Sequence, residues 1–165
     1  MNLSRSELLF EPLRRGREQE AAEMIGRTFA TFVADQYPPE GVREFMRYAD
    51  SGALIQRAER PDYLTLIAVA DDRVIGVVEL REGRHISLMF VDEMHQRKGL
   101  GRMLLHRVIS EGRNPAVTEI TVNSSPNAAA AYCRMGFRAA GPQRQENGIS
   151  YISMTLSVQD LRGRP

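Results

Sequence analysis

The chain has 165 residues, 42% of them hydrophobic and 26% charged, and carries a formal net charge of +1. This suits one globular domain with a sizeable core, and it leaves no charge excess that would point to nucleic acid. The lone cysteine, Cys133, excludes an internal disulfide and a cysteine-built metal site, and there is neither a membrane-length apolar run nor a secretory signal; a cytoplasmic protein with no metal and no membrane partner is expected.

In chain order, residues 8–13 read as a first strand and 14–16 as a turn. From about Arg17, Ala22, Ile25, Phe29, Phe32 and Val33 fall on one helical face, giving a helix that ends before Tyr37 and is stopped by Pro38-Pro39. A second short helix is predicted from Pro39 or Glu40 to about Tyr48, with Val42, Phe45 and Met46 inward and Gly52 at its exit. Residues 53–60 fit a loop or a short helix. Residues 63–70, 73–81 and 85–91 read as three strands of an antiparallel meander, turning at Asp71-Asp72 and again at 81–84. Strict alternation puts Val74, Val78 and Leu80 on one face of the middle strand and Ile75, Val77, Glu79 and Arg81 on the other. In the next strand Ile86, Leu88 and Phe90 oppose His85, Ser87 and Met89. One face is then apolar, and the other carries Glu79, Arg81, His85 and Ser87, a pattern that fits either solvent or a substrate cleft.

Gln96-Arg97-Lys98-Gly99-Leu100-Gly101 follows, and it holds the chain's one lysine. Leu100, Leu104, Leu105, Val108 and Ile109 then form the stripe of a helix running to about Glu111, with Gly112 as a left-handed stop. Two glycines at a helix entrance expose backbone N–H groups and the positive end of the dipole, and Arg97, Lys98 and Arg102 add charge; this is a phosphate or pyrophosphate site. It is not a dinucleotide fingerprint, because Leu104 stands where a third glycine is needed, nor a P-loop, because Lys98 precedes Gly99. Residues 117–122 read as a strand. Ser125 suits an N-cap and Pro126 the first position of a helix to Met135, closed by Gly136. Residues 137–140 and 149–156 read as final strands joined by a turn over 142–148, and the tail from about 158 is expected to be flexible. The order of elements indicates one mixed α/β (α+β) domain over 1–165 that is not doubly wound.

The loop Gln96–x–x–Gly99–x–Gly101 after a strand resembles the acyl-CoA loop of the GNAT superfamily of N-acetyltransferases, and residues 123–137 resemble its second signature, with Ser125, Ala128, Tyr132 and Gly136-Phe137 at the matching places. The resemblance is good over roughly 60–157. It implies a mixed, largely antiparallel central sheet of about seven strands, splayed between strands 4 and 5 and flanked by about four helices, with acetyl-CoA as cosubstrate in the split. Backbone groups of Met89, Phe90 and Val91 would then meet the acyl and pantetheine amides. N–H groups of Arg97, Lys98, Gly99, Leu100, Gly101 and Arg102, next to Gln96, would hold the pyrophosphate, and Asn123, Asn127 and Tyr132 are further contacts. Glu93 stands where the family often has proline, and Ser125 where asparagine is more frequent.

The chemistry adds its own demands. An alkyl amine of pKa about 10.4 is almost wholly protonated at neutral pH and must lose a proton before it attacks a thioester. Glu79 is the candidate base and His85 the alternative, unless water takes the proton. Strand N–H groups near Met89 to Val91 would serve the oxyanion, and Tyr132 would protonate the departing thiolate. The reading is direct acetyl transfer from acetyl-CoA to a primary amine of a small molecule or peptide; a non-catalytic acyl-CoA sensor and a plain interaction protein are the competing classes. The segment 29–45 is expected to wall the acceptor site. The acceptor's identity and assembly as a homodimer stay open.

Overall fold

The structure is a computed structural model describing residues 7–162. Strand β1 (Leu9–Pro12) leads to α1 (Glu18–Phe32), a 3-10 turn (Ala34–Gln36), α2 (Pro39–Tyr48) and α3 (Ser51–Ala58). The meander β2 (Tyr63–Ala70), β3 (Arg73–Arg81) and β4 (His85–Val91) follows, then a second 3-10 turn (Glu93–His95) and α4 (Leu100–Gly112). The chain ends through β5 (Glu119–Ser124), α5 (Ala129–Arg134), β6 (Arg138–Ala139), β7 (Arg144–Glu146), β8 (Ile149–Ser157) and α6 (Val158–Arg162). The strands form one sheet in the order β1-β2-β3-β4-β5-β8-β6, with β7 beside β8. Every pairing is antiparallel except β4 with β5. Among the described residues no helix is long and apolar enough to cross a membrane.

Both faces of the sheet are covered. On one, Leu100, Leu104, Leu105, Val108 and Ile109 of α4 pack on Leu66, Val78, Leu80 and Ile86, and the same core runs on into Ile120, Val122, Met154 and Leu156 of β5 and β8. On the other, Met24 and Ile25 of α1 and Leu54 and Ile55 of α3 pack on Ile67, Val77 and Leu88. A Cβ on Gly76 would come within 2.7 Å of Leu104 Cδ1, so β3 has glycine where α4 lies flush against it.

Strict alternation fails at two bulges. Ala68 pairs with Gly76 but Val69 with Val74, which leaves Ile75 extra in β3; Glu79 pairs with Leu88 but Leu80 with Ile86, which leaves Ser87 extra in β4. Each inserted residue reverses parity. Ile75 therefore lies with Val78 under α4, and Leu88 lies with Val77 under α1, opposite to Ile86. The expected apolar and polar faces are in fact two buried faces.

Other expectations are corrected by local physics. Gly52 begins a helix rather than ending one: Asp50 caps α3, its carboxylate accepting from the N–H groups of Gly52 and Ala53 at 2.8 and 3.2 Å. Gly112 is helical, and its role is packing, since a Cβ there would be 2.6 Å from Leu64 Cδ2. The buried face of α1 is Ala21, Met24, Ile25, Thr28 and Phe29, while Phe32 and, in α2, Met46 are exposed. The fifth helix starts at Ala129, with neither Ser125 nor any other side chain capping it. The expected turn over 142–148 contains β7, and residues 158–162 form α6, leaving 163–165 of the expected tail outside the described residues.

Candidate active site

Strands β4 and β5 pair only at His85 with Thr121 and at Ile86 with Val122. Beyond these pairs they part, and a cleft of about 1080 Å³ opens between them. Asp92 N–H donates to Ile75 O at 2.9 Å, which makes Val91 and Gly76 a non-hydrogen-bonded pair of the β3–β4 ladder. Alternation then gives the backbone groups of Phe90 to Val77 and turns those of Met89 and Val91 away from β3, toward the parted side. The cleft thus has along its floor a strand edge that pairs with no other strand, of whose groups the Val91 carbonyl accepts from the Gln96 side chain. Of the three strand residues expected to offer backbone groups there, Met89 and Val91 do so; Phe90 offers its ring instead.

At one end the cleft reaches the glycine loop. Arg97 and Gly99 take left-handed conformations (φ 62° and 82°), so successive N–H groups curl inward. Helix α4 has Gly99 as N-cap and no side-chain cap, and its first backbone bond is Met103 N–H to Gly99 O. The N–H groups of Leu100, Gly101 and Arg102 are consequently free of helical partners. A Cβ on Gly99 would meet no protein atom within 4 Å, so glycine is set here by the backbone freedom its φ requires and not by crowding. Arg97, Gly99, Leu100, Gly101 and Arg102 line the cleft, whereas exposed Lys98 does not. The Gln96 side chain works within the protein, donating to Val91 O at 2.9 Å and fastening the loop to β4. Arg102 also donates to the Arg134 carbonyl on α5.

The opposite wall is α5 with the turn before it. Asn123 lines the cleft and accepts from Ser153 Oγ at 3.1 Å. Asn127 Nδ2 donates to Phe32 O at 3.1 Å, tying this wall to the end of α1. Tyr132 is 7% exposed, lines the cleft, and meets Phe137 edge to face at 5.4 Å. Among the described residues no group hydrogen-bonds its hydroxyl, and burial pushes its pKa up from the ordinary phenol value.

The two candidate bases, Glu79 on β3 and His85 at the start of β4, both lie outside the cleft lining. Glu79 is 0% exposed. Its carboxylate accepts from Ser87 Oγ at 2.6 Å, from Tyr48 OH at 2.7 Å and from Arg57 Nε at 3.2 and 3.0 Å. The Arg57 guanidinium stacks over the Tyr48 ring at 3.6 Å. Glu79 does not line the cleft, but Ser87 does, so the bulged serine is the link between the buried carboxylate and the open site. His85 Nδ1 shares a hydrogen bond with Thr121 Oγ1 at 2.7 Å. Burial first, and then the Arg81 charge, lower its pKa to about 4, which keeps the ring neutral at pH 7. It too is absent from the lining.

A family model of the acetyltransferase (GNAT) domain matches residues 33–158.

The chain belongs to the GNAT acetyltransferases.

No curated protein matches it in sequence. Solved structures do match in fold. A GCN5-related N-acetyltransferase from Rhodopseudomonas palustris is 22% identical, with a TM-score of 0.78 over 93% of this chain and 97% of that one. The PaiA N-acetyltransferase from Thermoplasma acidophilum, solved in complex with coenzyme A, is 18% identical, with a TM-score of 0.75 over 92% and 99%. A spermidine N-acetyltransferase SpeG chimera from Vibrio cholerae and hSSAT is 17% identical, with a TM-score of 0.66 over 96% and 100%. The mixed sheet with its parallel β4–β5 pairing is the fold expected of a GNAT domain, here with eight strands and six helices among the described residues. Sequence reasoning missed Tyr48, Arg57 and the coupling role of Ser87 in this domain; Ser87 alone left a signal, as a small polar residue in an otherwise apolar strand.

Proposed function

We propose that the chain is a cytoplasmic enzyme that moves an acetyl group from acetyl-CoA directly to a primary amine. The observation that carries this reading is the continuity of one cleft from the uncapped N-terminus of α4, along the unpaired edge of β4, to the Tyr132 phenol. The residues present fit the cosubstrate. The N–H groups at 100–102, with Arg97 and Arg102, suit a pyrophosphate. Met89 and Val91 offer strand hydrogen bonds to pantetheine amides, as an added strand would. Bound there, acetyl-CoA supplies the activated acyl group.

The chain's own groups have the remaining tasks. The amine sheds a proton to water or to Ser87 Oγ, whose own proton is already directed at Glu79. The nitrogen then bonds to the acyl carbon, and a β4 N–H faces the developing oxyanion. As the oxyanion collapses and the carbon–sulfur bond breaks, the nitrogen gives its second proton to water, the sulfur takes the Tyr132 proton, and solvent restores the phenol. Glu79 is the sink of this relay rather than a base in contact with the amine, and His85 is the weaker candidate because its imidazole binds a proton so poorly. The test is release of free thiol from acetyl-CoA across an amine panel. Amine-dependent release supports the reading; tight acetyl-CoA binding without transfer to any amine would leave a non-catalytic acyl-CoA sensor.

A further inference from the structure

The acceptor end of the cleft has a marked chemical bias. It lies between β4 and the segment joining α1 to α2, and its lining is aromatic: Phe29, Phe32, Tyr37, Phe45 and Phe90. Phe29 and Phe45 stack with ring centres 3.9 Å apart and planes 12° from parallel. Tyr37 meets Phe29 edge-on at 5.4 Å, and Phe90 meets Phe45 at 5.6 Å. Phe32 stands at the rim with 38% of its surface exposed, its carbonyl held by Asn127.

Charge has the opposite bias. No aspartate or glutamate among the described residues lines the cleft, and its charged lining residues are Arg97, Arg102 and Arg134. The carboxylates one hydrogen bond behind the lining are already paired: Glu79, behind Ser87, with Arg57, and Asp92, 3.3 Å from His95 Nδ1, with Arg27 at 4.0 Å. A substrate with two or more ammonium groups would bring at least one permanent charge into this site with no counter-charge to meet it, and such burial is unfavourable. A substrate with a single amine gives up its charge to react, and before that an aromatic face can receive it. Flat rings also stack well against an aryl group.

Resting on the transferase reading, we infer that the acceptor is a primary monoamine carried on an aryl or alkyl body, and not a polyamine or an aminoglycoside. The preference comes from the aromatic wall supplied by 29–45 together with Phe90.

The experiment compares phenethylamine, hexylamine, ethylamine, spermidine and kanamycin as acceptors, read by thiol release, with acetyl-CoA affinity measured separately by calorimetry. Phenethylamine should exceed spermidine and kanamycin by at least about tenfold in kcat/KM, as one well-matched apolar contact permits. Phe45→Ala should raise KM for phenethylamine by roughly tenfold while leaving acetyl-CoA affinity in place. Phe32→Ala is the safer variant, because that ring is at the rim, and should act in the same direction by about threefold. Preference for spermidine or kanamycin, or indifference of phenethylamine to both variants, overturns this inference and leaves the transferase standing. An acetyl-CoA-binding protein that acetylates none of the five also overturns this inference, and the transferase reading falls with it only when the broad amine panel is negative as well.

Discussion

Replacing Tyr132 by phenylalanine isolates one atom. The hydroxyl has no hydrogen-bonding partner among the described residues, the ring is buried, and its contact with Phe137 is made by the aromatic edge and face, which phenylalanine keeps. The variant therefore loses no protein hydrogen bond, and its melting temperature should stay within a few degrees of wild type. What it loses is the hydroxyl that the proposed mechanism uses as proton donor. General acid assistance is typically worth about 10²–10⁴ in rate. Water entering from an open cleft can replace part of that, so kcat should fall at least about tenfold, a barrier increase of about 1.4 kcal/mol. Burial raises the phenol's pKa, so the donor stays protonated throughout a neutral-to-alkaline assay, and the residual rate should have a pH profile shaped like that of wild type. Stopped-flow thiol release with the best amine, beside calorimetric acetyl-CoA binding, gives the two readings. A Tyr132→Phe protein with full kcat would remove the phenol from the mechanism, and one with unchanged kcat but weakened acetyl-CoA binding would make it a binding contact instead.

Other consequences can be measured in the same way. Gly99→Val places a branched side chain at φ 82°, on the open side of the loop; acetyl-CoA affinity should fall at least tenfold, about 1.4 kcal/mol, by calorimetry, in a protein that still folds. Ser87→Ala cuts the cleft from Glu79 without leaving Arg57 unpaired, and should lower kcat/KM several-fold, most at low pH; an unchanged profile would hand the proton to bulk water. Glu79→Gln, by contrast, leaves the Arg57 charge buried and should lower stability by about 3 kcal/mol, seen in urea unfolding, before any effect on rate is read. His85 has a folded pKa near 4 against about 6.5 unfolded, so the unfolded chain binds more protons between those values. Stability should be fully present above pH 6.5 and decline as pH falls toward 4, and His85→Gln should reduce that decline in acid titrations of melting temperature.

The sequence was most readable where one physical signal acted alone. β2, β3 and β4 begin and end where alternation and the Asp71-Asp72 turn place them; both aspartates adopt positive φ, 51° and 58°, as a tight hairpin requires. The glycine loop and the α4 stripe were equally plain. The bulges at Ile75 and Ser87 were not, because inserting one residue changes no composition and shows only in the partner strand's register. The start of α5 depends on a long-range bond, Asn127 to Phe32 O, which holds residues 126–128 in a turn although the alanines that follow favour helix. Strand β7 is exposed throughout and so carries no apolar pattern. The surroundings of Glu79 draw on Tyr48 and Arg57 from two other helices; its grouping with Ser87 on a polar face could be read, but not that helices would seal it.

The two-rung junction between β4 and β5 divides the sheet into two leaves, β1 to β4 and β5 to β8, that share almost no backbone hydrogen bonds. Side chains under α4 hold them together, for Leu104 and Val108 belong to the same buried cluster as Ile120 and Leu156. Apolar packing tolerates small sliding where a hydrogen-bonded ladder does not, so the seam is the natural line along which the domain can breathe. A ligand seated in it would bond to the edge of one leaf while touching α5, which follows β5 in the other, and would act as a splint.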